Sequence, residues 1–206
     1  AMESRGLGDV YKRQVEHITS RLNVGNIYIN RNQIGAVVGS QPFGGEGMSG
    51  TGPKAGGPYY VSRFKKAPLP EHKLVREDYI DPAKVQVALD KAETDKHRPL
   101  ETIDMPGPTG ETNRWSTFAR GTILCLGPTK ADAGKQAKIA QQMGCAAVCV
   151  APGLDASVGL SGFLARTALS NLSGFDGVAL WSGVNDLRKA RQALAERKGP
   201  LLPLIS

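Results

Sequence analysis

The sequence predicts an α/β protein with a parallel sheet in residues 121–206. Two observations indicate this. Short apolar runs alternate with segments of helical periodicity, which is typical of βαβ units. The runs are apolar throughout rather than at every second residue, as in strands that are buried on both faces. A Rossmann-like sheet is therefore expected, with strands at 122–126, 145–151, 177–181 and 201–205, and helices at 131–143, 161–172 and 186–197.

A glycine-rich loop is the main feature of residues 15–66. Apolar side chains at helical spacing predict a helix over 15–22, and β-forming residues predict a short strand over 27–29. The next segment is too rich in glycine to form a long helix. A structured loop of this length inside a compact domain is usually functional. Its glycines are Gly35, Gly39, Gly44, Gly45, Gly47, Gly50, Gly52, Gly56 and Gly57.

Residues 67–120 are polar and repeatedly interrupted by proline, which predicts a linker. One helix is expected there, because Asp81 can cap a helix that has Pro82 at its first position. Pro-Gly turns are expected at 106–108. Residues 1–14 have no apolar core and match poorly with the segment after them, so we expect a non-native leader, such as a sequencing-adapter remnant.

The charge of the chain is basic, with a formal net charge of +7 over 206 residues. Lys and Arg are scattered and are not interleaved with aromatic residues, which favours a solvated surface over a nucleic-acid interface. We expect no nucleic-acid partner for this segment. No run approaches the roughly 18 apolar residues of a membrane span, so no membrane partner is expected.

The three cysteines, Cys125, Cys145 and Cys149, all lie in apolar runs. Buried free thiols in a reducing cytoplasm explain this placement best, because apolar surroundings raise the pKa of a thiol. We therefore expect no catalytic cysteine here. The histidines are not at zinc-ligand spacing, so no metal site is expected either.

A nucleotide site in 121–206 is a weaker alternative. Residues 126–130 follow a strand and precede a helix, where an anion could lie on the N–H groups of the helix. The segment lacks the Gly-x-Gly-x-x-Gly pattern, and Gly134-Lys135 is followed by Gln136 rather than by Ser or Thr. No cofactor-binding residue is therefore predicted.

The stretch from Gly25 to Tyr60 carries a family resemblance. A Gly-Asn pair, a strand and an Asn precede Pro42-Phe43-Gly44-Gly45 and then Ser49-Gly50. This order resembles the C-terminal part of the aldehyde dehydrogenase superfamily. The longer pattern, over 34–39, 41–45 and 49–58, is similar to the L-glutamate γ-semialdehyde dehydrogenase part of the bifunctional proline utilization A family.

The resemblance implies a domain order. Residues 15–66 are expected to be the C-terminal part of an aldehyde dehydrogenase domain, and 67–120 a linker with one helix. Residues 121–206 resemble the start of a Rossmann-like accessory domain that larger family members carry. The chain is therefore expected to be a fragment, cut at both ends.

The resemblance also implies substrate-binding residues. Backbone N–H groups of Gly35 and Ala36 are expected to hold the substrate α-carboxylate, as successive amides in a glycine-containing turn can. Phe43 is expected to pack against the aliphatic part of the substrate. A tight turn without a ligand remains the alternative for Gly35 and Ala36, and core packing remains the alternative for Phe43.

The implied reaction is the NAD-dependent oxidation of L-glutamate γ-semialdehyde, the open form of Δ1-pyrroline-5-carboxylate, in cytoplasmic proline catabolism. In the family, the nucleophilic cysteine lies upstream, so the isolated chain is expected to be inactive. NAD is expected in the full-length enzyme, and FAD only in a proline dehydrogenase domain. The expected partners are the rest of the same polypeptide and further copies in a homo-oligomer. The alternative is a non-catalytic structural α/β module that packs on, or seals, a catalytic core.

Overall fold

The computed structural model describes residues 2–31, 36–65 and 78–206. The chain forms two compact units. The first contains Ala1–Lys65 and Ile103–Trp115, and the second contains Lys66–Thr102 and Ser116–Ser206. None of the helices in the described ranges is both long enough and apolar enough to cross a membrane.

The first unit begins with helix α1, Met2–Thr19. The helix therefore starts well before the predicted 15–22. The strand predicted over 27–29 is wrong, because this segment pairs with no strand among the described residues and the chain bends at Ile29. Ile27 and Ile29 are 40% and 44% exposed. Residues that favour strands form one only where a neighbouring strand completes the backbone hydrogen bonds.

The glycine-rich segment is a structured loop, as predicted. Its described residues contain turns and an antiparallel bridge between Phe43 and Ala55. A short 3₁₀ helix, Val61–Phe64, follows it.

The second unit contains helix α2, Pro82–Asp90, which confirms the predicted cap. The Asp81 carboxylate accepts a hydrogen bond from the Ala83 N–H at 2.9 Å. Val85 and Leu89, one helical turn apart, are fully buried, whereas Val87 is 53% exposed. Val87 therefore lies on the solvent side of the helix.

Two strands, β1 (Pro99–Met105) and β2 (Asn113–Phe118), pair in the region that was predicted to be a linker. All of their side chains are exposed or half-buried, so no apolar alternation marks them in the sequence. Polar pairs join them, such as the hydroxyls of Thr102 and Ser116 at 2.9 Å. Residues 106–108, where Pro-Gly turns were predicted, lie in the connection between them, but the turn itself is at Thr109 and Gly110.

The parallel sheet predicted for 121–206 is confirmed, with five strands rather than four. The strands lie in the order β5-β4-β3-β6-β7, and every pair is parallel. Chain order runs outward on both sides of β3, as in a doubly wound sheet. The strands are β3 (Thr122–Cys125), β4 (Ala146–Ala151), β5 (Leu160–Ser161), β6 (Gly177–Ala179) and β7 (Leu204–Ile205).

Two of the three helices predicted for this unit are confirmed, as α3 (Lys130–Gln142) and α4 (Val184–Ala195). The helix predicted over 161–172 is wrong. Strand β5 and a 3₁₀ helix, Arg166–Ser170, take its place. Phe163 exchanges backbone hydrogen bonds with Asp78 and Ile80, at 2.6 and 3.1 Å. These bonds use the backbone groups that an α-helix would need.

Both faces of the five-stranded sheet are buried, which explains why its strands are apolar throughout. Leu124, Val148 and Val178 lie in a core that also contains residues of α2, α4 and the 3₁₀ helix. Cys125 and Cys149 lie in a second core that contains residues of α3.

Candidate functional site

The candidate site is the glycine-rich loop of the first unit, and its most distinctive side chain is Phe43. The Phe43 side chain is 54% exposed, although it is a large aromatic group. Its neighbours Gln41 and Pro42 are buried. Core packing is therefore not the role of this ring within the described residues, and its exposed face is open to contact with another group.

The backbone of Phe43 is held by its bridge partner. The Phe43 N–H donates to the Ala55 carbonyl oxygen at 3.0 Å, and the Ala55 N–H donates to the Phe43 carbonyl oxygen at 2.8 Å. Both backbone groups of the aromatic residue are thereby satisfied, which fixes the point from which the ring projects.

The side chain of Asn26 holds the peptides on either side. Its amide nitrogen donates to the Pro42 carbonyl oxygen at 2.8 Å, and its amide oxygen accepts from the Gly44 N–H at 3.0 Å. Asn26 follows Gly25, where a Cβ atom would overlap the carbonyl oxygen of Gly44. A glycine is therefore required for this close approach of the two segments.

Lys54 holds the next two carbonyls of the loop. Its ammonium group donates to the carbonyl oxygens of Gly44 and Gly45 at 3.0 and 2.9 Å, and it lies 3.8 Å from the Glu46 carboxylate. The side chain is only 17% exposed. Asn26 and Lys54 were not singled out from the sequence. A polar residue beside a glycine turn was the available signal.

Gly35 and Ala36, the other predicted substrate-binding residues, are less fully defined by the structure than Phe43. Gly35 lies outside the described residues. Ala36 is exposed and is followed by a turn in which the N–H of Gln41 donates to the Val37 carbonyl oxygen at 2.8 Å. The turn is tied to the end of the loop by the Gly39 N–H, which donates to Gly56 at 3.2 Å. A carboxylate anchor at Gly35 and Ala36 stays a prediction.

The three cysteines are free and buried, as predicted. Cys125 and Cys149 are register partners on β3 and β4. A hydrogen bond with the Cys149 thiol, together with burial, raises the pKa of Cys125 well above its usual value. A nucleophile must be an accessible thiolate, and Cys125 meets neither condition.

Within the described ranges, no cluster of three His, Cys, Asp or Glu residues could hold a metal ion.

The backbone of the loop between β3 and α3 is hydrogen-bonded by a side chain of α3, and the start of α3 by a side chain of the loop. The buried amide of Gln136 accepts from the Gly127 N–H at 3.0 Å and donates to the Gly127 carbonyl oxygen at 2.8 Å. The Asp132 N–H donates to the Thr129 hydroxyl at 3.1 Å. An anion at this helix terminus would have to displace these bonds.

Comparison with known proteins gives the relatives of the chain. Residues 10–67 match the model of the aldehyde dehydrogenase family. In an alignment of 220 positions that covers 96% of this chain and 18% of the relative, the chain is 38% identical to the bifunctional protein PutA of Rhizobium meliloti. It is 33% identical to the bifunctional protein PutA of Salmonella typhimurium, over 91% of this chain and 17% of that protein.

A shorter match covers the glycine-rich loop. Over 56 residues, 27% of this chain and 11% of the relative, the chain is 48% identical to 1-pyrroline-5-carboxylate dehydrogenase 2 of Bacillus subtilis. The chain thus spans less than a fifth of the length of each of these relatives. Residues 10–67 thus match the aldehyde dehydrogenase family, within a chain that is similar over nearly its whole length to bifunctional PutA proteins.

Proposed function

We propose that residues 15–66 form the substrate-anchoring end of an aldehyde dehydrogenase domain that oxidises L-glutamate γ-semialdehyde. The observation that carries the proposal is an exposed aromatic ring on a fully hydrogen-bonded backbone. Phe43 is 54% exposed, while both of its backbone groups and both neighbouring peptides are held. A rigid apolar surface of this kind suits the methylene chain of the substrate.

The carboxylate of the substrate needs a second contact. Backbone N–H groups of Gly35 and Ala36 can supply it, since consecutive amides in a glycine turn form a pocket for an anion. Ala36 is exposed at the start of the turn that precedes Phe43. An anchor made of N–H groups and an aromatic ring would select an aldehyde that carries a carboxylate.

The names of the relatives point to the same substrate. The relatives include bifunctional PutA proteins and a 1-pyrroline-5-carboxylate dehydrogenase.

We propose that NAD is the oxidant and that it binds to an upstream part of a longer polypeptide, because the loop at Gly127 is filled by Gln136. FAD would belong to a separate proline dehydrogenase domain. We further propose a cytoplasmic, homo-oligomeric protein.

We propose a structural role for residues 121–206, as a Rossmann-like accessory domain beside the dehydrogenase domain. The observation that favours this role is the burial of both sheet faces and of all three thiols. Such a module contributes packing to a catalytic core and no reacting group.

The carboxylate anchor can be tested in a chimera. Residues 15–66 replace the matching segment of the Rhizobium meliloti PutA protein, and the KM for glutamate semialdehyde is measured. Phe43→Ala is expected to raise KM by about 10-fold, or ~1.4 kcal/mol of binding free energy. Ala36→Pro removes a backbone N–H and is expected to raise KM for glutamate semialdehyde but not for butanal, which has no carboxylate.

Val61→Ala is the matched control, because Val61 is 72% exposed and lies outside the proposed anchor. Its KM should equal that of the unmodified chimera. An unchanged KM in both Phe43→Ala and Ala36→Pro would refute the proposed function.

A further inference from the structure

We infer that Asn26 and Lys54 are positioning residues, which set the KM for the aldehyde by holding the backbone from which Phe43 projects. The inference rests on the proposed function, because it assigns a role to the two side chains behind the proposed substrate surface. Neither side chain is proposed to touch the substrate.

Asn26 is matched to the peptides that flank Phe43. An asparagine side chain carries one acceptor and an amide donor group. Here the donor binds the carbonyl oxygen before Phe43 and the acceptor binds the N–H after it, at 2.8 and 3.0 Å. Together with the bridge to Ala55, these bonds constrain the peptide on each side of the aromatic residue. The direction of the ring then depends on the amide of Asn26.

Lys54 stabilises the two glycines that follow Phe43. Gly44 and Gly45 follow Phe43, and two consecutive glycines have a wide choice of backbone conformations. The ammonium group bonds both of their carbonyl oxygens, and the Glu46 carboxylate lies 3.8 Å away. Since charge-assisted hydrogen bonds are stronger than neutral ones, the loss of this ammonium should loosen the turn beside Phe43.

The two contacts reach Phe43 from opposite directions along the chain. Asn26 precedes the loop, and Lys54 lies next to Ala55, the bridge partner of Phe43. Two separate segments therefore hold the backbone that carries the exposed ring. A displacement of the ring should weaken substrate binding and leave the chemical step unchanged, since the reacting groups lie elsewhere.

The test uses the same chimera and measures KM and kcat for glutamate semialdehyde. Lys54→Met keeps the length of the side chain and removes the donors. It is expected to raise KM by about 3- to 10-fold with kcat within about twofold. Asn26→Asp keeps the acceptor and loses the donor, so it should raise KM by less than Asn26→Ala. Lys65→Met, at an exposed lysine, is the matched control and should leave both constants unchanged.

A double variant separates positioning from a general loss of structure. If Lys54 acts through Phe43, then Lys54→Met should add little to the KM of Phe43→Ala, because coupled residues are not additive. Additive effects, or an unchanged KM in both Lys54→Met and Asn26→Ala, would overturn the inference. If Lys54→Met does not fold, the KM values of Asn26→Asp and Asn26→Ala test the inference instead. Equal KM values for these two variants would overturn it. An unchanged KM in Phe43→Ala would instead defeat the proposed function, and the inference with it.

Discussion

A buried ion pair between Arg166 and Asp186 lies in the core of the second unit. The Arg166 guanidinium binds the Asp186 carboxylate through Nε and Nη2, and the side chains are 4% and 3% exposed. Arg166 also donates to the Leu164 carbonyl oxygen and lies over the ring of Phe163 at 4.4 Å. The pair joins the 3₁₀ helix to α4, two elements of the same core.

Arg166→Met should therefore be strongly destabilising, by about 3–5 kcal/mol, because it leaves the Asp186 carboxylate buried without its cation. The double variant Arg166→Met/Asp186→Leu should recover most of this loss, since it removes both charges. The free energy of unfolding is measured with urea in a Trp115→Phe background, in which Trp181 is the remaining tryptophan and its fluorescence reports the second unit. A double variant that is no more stable than the single one would contradict this account.

At the residue scale, the sequence predicted which side chains are buried better than it predicted which side chains bond to each other. The burial of the three cysteines follows from the apolar runs that contain them, because such runs become strands buried on both faces. The roles of Asn26 and Lys54 could not be predicted in the same way. Their partners lie 16 to 18 and 9 to 10 residues away, and only the folded loop brings them together.

The elements with strong local signals were predicted with nearly correct bounds. Helix α2 begins where Asp81 and Pro82 indicate, because a cap and a proline at the first position both act within one turn. The elements that depend on residues far away in the sequence were not predicted correctly. Strands β1 and β2 carry few apolar residues, and the predicted helix over 161–172 yields to backbone bonds with Asp78 and Ile80.

The cap of α2 allows a test at the scale of one element. Asp81→Ala removes the acceptor for the Ala83 N–H and should lower the free energy of unfolding by ~1 kcal/mol. Asp81→Asn is the control, because asparagine caps a helix about as well as aspartate does. Urea unfolding of the two variants checks this. Equal midpoints for Asp81→Ala and the wild type would show that the cap is not used.

At the scale of the whole molecule, the five-stranded sheet has its own core, whereas the proposed anchor lies in the other unit. The sequence predicted the parallel sheet because alternating strands and helices leave few other arrangements. It did not predict the strand order or the division of residues 99–118 between the two units, since both depend on which segments meet.

The isolated chain is expected to show no NAD-dependent oxidation of glutamate semialdehyde. The reason is chemical: Cys125, Cys145 and Cys149 are all buried, so none of them offers an accessible thiolate. The formation of NADH is followed by its absorbance, with the full-length Rhizobium meliloti PutA protein as the positive control. Turnover that is lost on replacing any of the three cysteines would contradict the prediction.

The central claim is that the loop around Phe43 anchors an aldehyde that carries a carboxylate. The most direct measurement is a crystal structure of the chimera with bound L-glutamate, the product of the proposed reaction. The account predicts that the α-carboxylate accepts hydrogen bonds from the N–H groups at positions 35 and 36, and that the methylene chain lies against Phe43. Glutamate bound in the catalytic domain without contact to either group would contradict it.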